Sequence, residues 1–317
     1  MKVLVTGGSG FMGRNFLLRA PHDWQILAVY RNDASFPAFV AASGKPGVTA
    51  AQCDLADHEA VRSLFSRHGE QWDGCAYFSA KVDIPWSVRE PKHDLVANAE
   101  PLLNVLEAIR CDRFVYFSSG AVYDGIRGVV TASSPISPTL PYAISKLACE
   151  HYVSFYSKRR KSIGNYINVR FFGAYGPWEA HHKIYTRLVR AFVIEGKREY
   201  TIYGDGRNLI DAMYVDDAVD AVCRMLAGSV WNRTVNLAVG NPLTVEELVR
   251  NAGRFLGCGE IGIRKEGVAH ENIEFQASLQ EIRDDLGFEP AIGLSDGLLR
   301  LRDFLLTAGA GRPRLTA

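Results

Sequence analysis

A glycine-rich loop at the start of the chain constrains the fold more than any other feature of the sequence. Residues 3–6, VLVT, form a short aliphatic and β-branched run, and Gly7, Gly10 and Gly13 follow at GxxGxxG spacing before a helical stretch at residues 14–19. Glycines in this context let the backbone turn tightly and approach a pyrophosphate, while the helix N-terminus offers unpaired N–H groups. The segment therefore predicts a strand, a phosphate-binding loop and a helix rather than a merely structural turn.

The rest of the first half repeats short strands and helix-length amphipathic stretches. Strands are predicted at residues 2–6, 26–30, 48–53, 75–79, 113–118 and 165–171. Alternating strands and helices form parallel sheets through right-handed crossovers, so we predict an α/β fold with a doubly wound parallel sheet. After Pro177 the pattern changes to helices near residues 183–195, 216–227 and 244–256 with short strands at 200–203 and 234–238, which predicts a smaller C-terminal lobe.

Charge and cysteine content limit the classes of partner and compartment. The chain of 317 residues has 36 Lys and Arg against 35 Asp and Glu, a net charge of +1. This charge is too small to attract nucleic acid or an anionic membrane. No two of the six cysteines are spaced as a CxxC pair, which indicates free thiols in a reducing compartment. Without a leader or a long apolar run, we expect a cytoplasmic protein that binds a small molecule, not nucleic acid or a membrane.

The end of the second predicted strand bears on the choice of dinucleotide. It reads Val29-Tyr30-Arg31-Asn32, and an Arg at this place suits the 2′-phosphate of NADP. Arg31 and Arg14 would form a charged fork for that phosphate, which favours NADP over NAD. Two alternatives stay open: both arginines are solvated surface residues, or Asp33 provides the acidic residue that suits NAD. Asp54, after the third strand, would suit the adenine amino group.

Three polar side chains predict proton transfer beside this cofactor. Tyr142 and Lys146 are spaced i and i+4 at the start of a helical stretch, so both side chains share one face. Ser119 follows a strand, where ligands of open α/β sheets bind, and it could stabilise charge on a reacting oxygen. A neighbouring ammonium and an oxidised nicotinamide would favour the tyrosine phenolate.

At this point the sequence resembles the extended short-chain dehydrogenase/reductases, specifically the NAD-dependent epimerase/dehydratase family acting on nucleotide sugars. The resemblance covers nearly the whole chain. The matching segments are 3–13 (VLVTGGSGFMG), 53–55 (CDL), 114–123 (FVYFSSGAVY), 142–146 (YAISK), 170–177 (RFFGAYGP), 204–206 (GDG), 214–217 (YVDD) and 286–290 (LGFEP).

The resemblance implies a Rossmann domain over residues 1–177, with residues of about 208–240 returning to it, and a mainly substrate-binding lobe over residues 178–317. It implies catalytic roles for Ser119, Tyr142 and Lys146, and a homodimer formed through the helix after Pro141 and the helix ending near Arg110. The expected cofactor contacts are Gly7, Gly10, Phe11, Met12, Gly13, Arg14, Arg31, Asn32, Asp54, Leu55, Ser79, Ala80, Lys81, Asn98, Tyr142 and Lys146. The expected substrate contacts are Lys81, Ser119, Tyr142, Gly173, Lys183, Arg187 and Arg207.

Departures from the family pattern bear on the reaction. In 4,6-dehydratases an acidic pair follows the catalytic hydroxyl residue, whereas this chain has Gly120 and Ala121, which argues against dehydration. The usual Asn and Arg that touch the substrate diphosphate are Gly173 and Ile210 here. Lys183, Arg187 or Arg207 could supply the missing charge; otherwise the substrate carries no diphosphate.

We expect an epimerase-type reaction through a transient 4-keto sugar, with reduction of a 4-keto-6-deoxy nucleotide sugar or another ketone by NADPH as the alternative. A non-catalytic, cofactor-sensing scaffold is the alternative of another class. The adjacent His181 and His182 cannot easily face one ion, so we expect no metal.

Overall fold

A computed structural model describes residues 1–268 and 273–309 of the chain. A sheet of seven parallel strands forms its centre, in the order β12-β7-β5-β4-β1-β2-β3. These strands are β1 (Lys2–Thr6), β2 (Gln25–Tyr30), β3 (Val48–Gln52), β4 (Gln71–Tyr77), β5 (Arg110–Phe117), β7 (Ile163–Phe171) and β12 (Arg233–Leu237). The predicted doubly wound parallel sheet is therefore confirmed.

Helices cover both faces of the sheet and pack within the lobe. They are α1 (Phe11–Arg19), α2 (Phe36–Ala42), α3 (His58–His68), α4 (Ile84–Arg89), α5 (Pro91–Ala108), α6 (Pro141–Phe155), α7 (Ile184–Val189), α8 (Val215–Ala227), α9 (Val245–Phe255), α10 (Gln280–Leu286) and α11 (Leu294–Gly309). Helices α1 and α8 pack together on one face, and α3, α5 and α6 cover the other.

Strand β1 shows why the sheet needs two covers. Val3 and Val5 belong to the core on one face, and Leu4 belongs to the core on the other. Successive residues of a strand point to opposite faces, and both faces of this sheet are covered. All three side chains are therefore fully buried. A strand that is apolar at every position is typical of a parallel sheet with helices on both sides.

Short strand pairs build the smaller lobe beside this sheet. They are β9 (Glu199–Tyr203) with β14 (Gly262–Glu266), β6 (Arg127–Val130) with β15 (Glu274–Ala277), β8 (Ala174–Tyr175) with β11 (Met213–Tyr214), and β10 (Leu209–Ile210) with β13 (Leu243–Thr244). The chain contributes β6 to the lobe before β7 and the other lobe strands after it, and it comes back to the sheet through α8 and β12, which adds an edge strand beside β7.

Trp178 joins the lobe to the sheet domain. Its indole packs edge-on against Phe39 in α2, with ring centroids 5.4 Å apart, and against Phe304 in α11 at 5.1 Å. The side chain therefore serves packing between elements.

Across the two described stretches of chain, no helix combines the length and the apolar character that crossing a membrane requires.

Gly13 fits where no other residue does. A Cβ atom at this position would lie 2.3 Å from the Gly7 carbonyl oxygen and 2.6 Å from the Gly8 Cα atom. Because the backbone itself is the obstacle, the β1–α1 loop must move if a side chain is added. The third glycine of the motif thus brings helix α1 against the loop.

We predict that Gly13→Ala lowers the free energy of unfolding by about 1–3 kcal/mol and weakens dinucleotide binding, because the overpacked loop is displaced. Chemical denaturation and ligand titration measure the two effects. Gly293→Ala is the control, since an added Cβ there meets nothing within 4 Å. Equal stability of the two variants would contradict the packing argument.

Candidate active site

Ser119 lies at the carboxyl end of β5, at the edge of the sheet that also carries the glycine loop. Its hydroxyl oxygen accepts a hydrogen bond from the Ala121 N–H at 3.1 Å and caps the 3₁₀ turn Gly120–Tyr123. This cap fixes the side chain at the strand end, where sequence reasoning placed it. The serine side chain also lies near enough to Tyr142 to act on the pKa of that phenol.

Tyr142 and Lys146 both lie in the first half of α6, which begins with Pro141 at its N-terminus. Their side chains are 6% and 1% exposed, so the pair is nearly removed from water. The Lys146 ammonium donates to the Phe117 carbonyl at the end of β5 and lies over the Tyr116 ring, 4.4 Å from its centroid. Helix α6 thus delivers both groups to the edge where Ser119 lies.

Burial dominates the acidity of this pair. It raises the pKa of Tyr142 to about 12, against the lowering effect of the Ser119 hydrogen bond. Burial also lowers the pKa of Lys146 to about 8. In this structure burial is therefore the largest influence on Tyr142, which is a phenol at neutral pH.

Asn98 connects the helix α5 to the loop after β4. Its side-chain oxygen accepts from the Lys81 N–H at 2.9 Å, and its amide donates to the Lys81 carbonyl at 3.3 Å. Asn98 is buried, whereas the Lys81 ammonium is exposed, 3.9 Å from Asp83 and over the Trp86 ring. Asn98 thus holds the backbone of Lys81, while the Lys81 side chain extends to the surface.

The glycine loop has the shape that a pyrophosphate requires. Gly7 adopts φ +68°, and its added Cβ would lie 3.1 Å from the Ser79 N–H nitrogen after β4. Gly10 caps α1, and Phe11 and Met12 form the first turn of that helix. Because the loop leaves no space for side chains beside the helix N-terminus, its residues fit a dinucleotide.

Arg14 is not placed as the sequence analysis expected. It is 3% exposed, and its Nη2 donates to Asp33 Oδ2 at 2.6 Å, while its Nε donates to the Ser9 carbonyl. Burial acts to raise the pKa of Asp33, but hydrogen bonds from Ser35 and Arg14 outweigh it and lower that pKa. Arg14 is thus neutralised by an ionised carboxylate, and the predicted fork with Arg31 is not formed.

The remaining expected cofactor residues surround the same edge. Arg31 and Asn32 are exposed immediately after β2, and Asp54 is exposed after β3, with its Oδ1 accepting from the Ala56 N–H. Leu55 is buried beside it. Ser79 and Ala80 follow β4, where the Ser79 N–H donates to Thr6 Oγ1 at 3.2 Å.

A pocket of about 240 Å³ opens beside Ser119. Apolar side chains form most of its wall, among them Phe171, Phe172 and Phe275. Asp124 and Asp211 are the charged residues of the described lining. The wall thus contains two carboxylates, and no cation among the residues that the structure describes there.

A second, basic cleft of about 640 Å³ lies in the lobe, lined by four cationic side chains and by two carboxylates, Glu195 and Glu199. Its cationic lining residues are Arg187, Arg190, Lys197 and Arg198, and Tyr200 and Tyr203 provide aromatic surface. Arg187 lies over the Tyr200 ring at 5.5 Å. One segment, residues 199–211, contributes to both the basic cleft and the Ser119 pocket.

Of the expected substrate residues, only Arg187 lines this cleft, and Lys183 and Arg207 do not. Lys183 is exposed before α7, and Arg207 is exposed beside Asp205, 3.9 Å away. Gly173 adopts φ +127°, and its carbonyl accepts from the Met213 N–H.

Sequence reasoning missed a buried ion pair behind the site. Arg170 donates to Glu150 Oε2 at 3.0 Å, and Ser118 donates to Glu150 Oε1. Arg170 also donates to the Tyr123 hydroxyl oxygen, which in turn donates to Asn236. Arg170 lies in a matched family segment and Glu150 lies four residues after Lys146 on α6, so that spacing was the available signal.

Within the described residues, no three His, Cys, Asp or Glu side chains cluster in a way that could hold a metal ion.

Comparison with known proteins shows which family, relatives and solved structures the chain is similar to. The sequence model of the NAD-dependent epimerase/dehydratase family matches residues 3–238. A dTDP-glucose 4,6-dehydratase of Mycobacterium tuberculosis is 30% identical over 246 residues, covering 74% of this chain and 71% of the relative. A protein of the same name from Xanthomonas campestris pv. campestris is 26% identical over 335 residues, covering 96% and 93%.

Among solved structures, UDP-glucuronic acid 4-epimerase from Bacillus cereus, in complex with NAD, superposes with a TM-score of 0.84 over 100% of both chains at 21% identity. That likeness supports the fold. The match of the family's sequence model, over about three quarters of the chain, identifies it: the protein belongs to the NAD-dependent epimerase/dehydratase family.

Proposed function

We propose that this protein carries out NAD(P)-dependent oxidoreduction at a sugar carbon of a nucleotide sugar, in an epimerase-type reaction. The observation that carries the proposal is the convergence of Ser119, Tyr142 and Lys146 at one sheet edge, beside a loop shaped for a dinucleotide. This arrangement has the parts needed to move a proton at an oxygen and a hydride at its carbon.

The side chains have separable tasks. When bound, the nicotinamide accepts or returns a hydride. The positive charge of an oxidised nicotinamide would favour the phenolate of Tyr142, and in that form Tyr142 accepts the proton of the C4 hydroxyl as the C–H bond breaks and returns it after the 4-keto sugar has turned. Ser119 donates a hydrogen bond to the reacting oxygen, and the Lys146 ammonium stabilises the phenolate form of Tyr142.

Net reduction of a ketone is the second candidate, and the protonated state of Tyr142 favours it. With a pKa of about 12, this phenol is a proton donor at neutral pH. In reduction it gives its proton to the carbonyl oxygen while a reduced nicotinamide gives a hydride to the carbon. NADPH taken up from solution would supply that hydride and leave as NADP. Arg31 would recognise the 2′-phosphate that both forms carry.

Dehydration is a third candidate reaction because several relatives are named dTDP-glucose 4,6-dehydratases. The comparisons give no support to the expectation against it, which rests on Gly120 and Ala121. Water elimination needs an acid and a base near the sugar, and Asp124 and Asp211 line the Ser119 pocket. Asp124 is held by the Thr139 N–H and hydroxyl, at 3.1 and 2.6 Å.

The charges of the two cavities suggest how a nucleotide sugar divides between them. A diphosphate suits the basic cleft with Arg187 and Arg190, and the aromatic rings there suit a base. The apolar, carboxylate-bearing pocket at Ser119 suits an uncharged sugar and disfavours a uronic acid.

The cofactor proposal rests on Arg31 and Asp33. Arg31 is exposed at the end of β2, where it can reach a 2′-phosphate, and this supports NADP. Asp33 opposes that preference. Its carboxylate forms an ion pair with Arg14, and a carboxylate at this place suits the ribose 2′-hydroxyl of NAD. We retain NADP as the favoured cofactor, on Arg31 alone.

A homodimer through α5 and α6 is supported by exposed apolar side chains. Leu95 and Val96 on α5, and Ile144, Tyr152 and Phe155 on α6, are each more than 40% exposed. The two helices pack side by side, so these residues offer one helical surface that a second copy would bury.

A substrate panel tests the reaction. With dTDP-glucose, UDP-glucose and UDP-glucuronic acid, we expect turnover of the uncharged sugars and weaker turnover of the acid. Epimerisation leaves the product mass unchanged, dehydration removes one water, and reduction of a 4-keto sugar consumes NADPH, so mass spectrometry and absorbance separate them. Tyr142→Phe should lower kcat at least ~100-fold. Tyr156→Phe, which removes a hydroxyl that donates to Glu107 at the far end of the same helix, is the control.

If no member of the panel turns over and Tyr142→Phe changes nothing, the protein is a cofactor-binding scaffold instead.

For the cofactor, we predict that Arg31→Ala weakens NADP about tenfold and leaves NAD unchanged, because only NADP carries the 2′-phosphate. Asp33→Asn releases Arg14 and should raise the affinity for NADP relative to NAD. Calorimetric titration measures both, with Arg67→Ala as an exposed control. If Arg31→Ala has no effect and Asp33→Asn weakens NAD only, the site selects NAD.

For the dimer, we predict that Tyr152→Glu with Phe155→Glu produces a monomer, because two buried charges would be unpaired at the interface. Sedimentation velocity measures the mass in solution. Val129→Glu, which changes an exposed side chain on β6, should leave the assembly intact. A wild-type monomer would refute the assignment.

A further inference from the structure

A buried ion pair lies behind the catalytic edge of the sheet and has no part in the reaction steps above. Arg170 on β7 donates two hydrogen bonds to Glu150 on α6, from Nη2 to Oε2 at 3.0 Å and from Nε to Oε1 at 3.2 Å. The two side chains are 6% and 5% exposed. Removing both charges from water costs about as much free energy as their attraction returns, so stability alone does not account for the pair.

The Glu150 carboxylate reaches the end of β5, where the proposed catalytic groups meet. The Ser118 hydroxyl donates a hydrogen bond to Glu150 Oε1. The carbonyl of the preceding residue, Phe117, accepts from the Lys146 ammonium. The following residue is Ser119, whose hydroxyl caps the 3₁₀ turn. Glu150 therefore holds the residue that joins the anchor of the ammonium to the proposed catalytic serine.

The other side of the same guanidinium holds the lobe. Arg170 Nη1 donates to the Ala132 carbonyl and to the Tyr123 hydroxyl oxygen, both at 3.0 Å. Tyr123 donates in turn to Asn236 on β12 at 2.7 Å, and the Asn236 amide donates to the Val130 carbonyl at 3.1 Å. The chain at the end of β6 is thus fastened to the central sheet by side chains from β7 and β12.

This segment, residues 130–132, is continuous with one wall of the Ser119 pocket. It ends β6, which pairs in parallel with β15 and places Gly128 beside Phe275. The Phe275 ring lines the pocket and packs against the Tyr123 ring, with centroids 5.9 Å apart. A shift of the segment would therefore move the Phe275 wall relative to Ser119.

All three nitrogens of one planar group take part, which restricts what can replace Arg170. Its Nε and Nη2 bind the carboxylate, and its Nη1 binds the lobe. A lysine would retain the positive charge, but its ammonium lacks the fixed fork of the guanidinium. Lysine can therefore meet Glu150 or the Ala132 carbonyl, and it cannot hold both at the present spacing.

We propose that Arg170 is a positioning residue that fixes the distance between the catalytic edge of the sheet and the Phe275 wall of the Ser119 pocket. Its edge arm runs through Glu150 to the end of β5, and its wall arm runs through residues 130–132 to β15. A sugar between the edge and the wall is thereby kept at the distance that proton transfer requires. The proposal rests on the proposed catalytic role of Ser119.

The first experiment measures this distance without a substrate. Crystal structures of the wild type and of Arg170→Lys should differ by at least ~0.5 Å in the separation of Ser119 Oγ from the Phe275 ring, a displacement that disturbs a catalytic arrangement. Arg113→Lys is the matched control. Arg113 is a half-buried arginine on β5 that donates to the Leu226 carbonyl at 2.8 Å, and the same exchange there should leave the separation unchanged.

The second experiment separates the two arms by turnover of a nucleotide sugar that the wild type converts. Ser118→Ala interrupts the edge arm, so kcat should fall about tenfold while KM changes less than about twofold. Tyr123→Phe interrupts the wall arm, so KM should rise about fivefold with a smaller change in kcat. Arg170→Lys interrupts both arms and should lower kcat/KM about 100-fold.

Dinucleotide affinity is the second readout in these variants. Calorimetric titration with NAD should show a change of less than about threefold, because the glycine loop is not part of either arm. A structural role alone would lower the folded fraction, and with it the apparent kcat of all three variants, without separating kcat from KM.

An unchanged separation of Ser119 and Phe275 in Arg170→Lys overturns the proposal, and so does a loss of kcat at unchanged KM in all three variants. A changed separation in a protein that converts no nucleotide sugar supports the role of Arg170 and contradicts the proposed function, so the two failures are distinguishable.

If Arg170→Lys does not fold, the separation and the kinetic constants are measured in Ser118→Ala and Tyr123→Phe, which both keep the ion pair. Wild-type values in these two variants overturn the proposal.

Discussion

Burial of an ammonium ion at the edge of a parallel sheet is the constraint on which this site depends. Lys146 is 1% exposed, and the Phe117 carbonyl at the end of β5 accepts its hydrogen bond. A buried charge must be matched by acceptors and anions, and here they come from a strand end and from helices on one face of the sheet. The same packing that covers the sheet therefore fixes the position of Lys146, and of Tyr142 one turn earlier.

That constraint links the sheet to the chemistry. Parallel strands bring Ser119, the glycine loop and the residues after β4 to one edge because their carboxyl ends coincide. Helix α6 crosses this edge and places a phenol beside the serine. The proposed proton transfer and dinucleotide binding would then both follow from the order of the strands and the register of one helix.

Several of these features could be read from the sequence because local rules determine them. Apolar runs of strand length gave the sheet, and the spacing of Gly7, Gly10 and Gly13 indicated a close approach of backbone that the geometry at Gly13 explains. Tyr142 and Lys146 were recognisable because a helix places i and i+4 side chains on one face.

Other features depended on contacts between residues distant in the sequence. Arg14 could be read as a phosphate ligand until the structure paired it with Asp33, 19 residues later. Helix spacing says nothing of Trp178 packing between α2 and α11. Acidity was the hardest property to infer, since desolvation depends on the whole packed surrounding of Tyr142.

The most direct measurement is a crystal structure with NAD or NADP bound. The account predicts the pyrophosphate at Gly7, Gly10 and Gly13, and the nicotinamide ring at the Ser119 pocket, with the Tyr142 oxygen at the same face of the ring where a sugar carbon would react. A dinucleotide bound elsewhere, or a Tyr142 oxygen turned away from the ring, would contradict it.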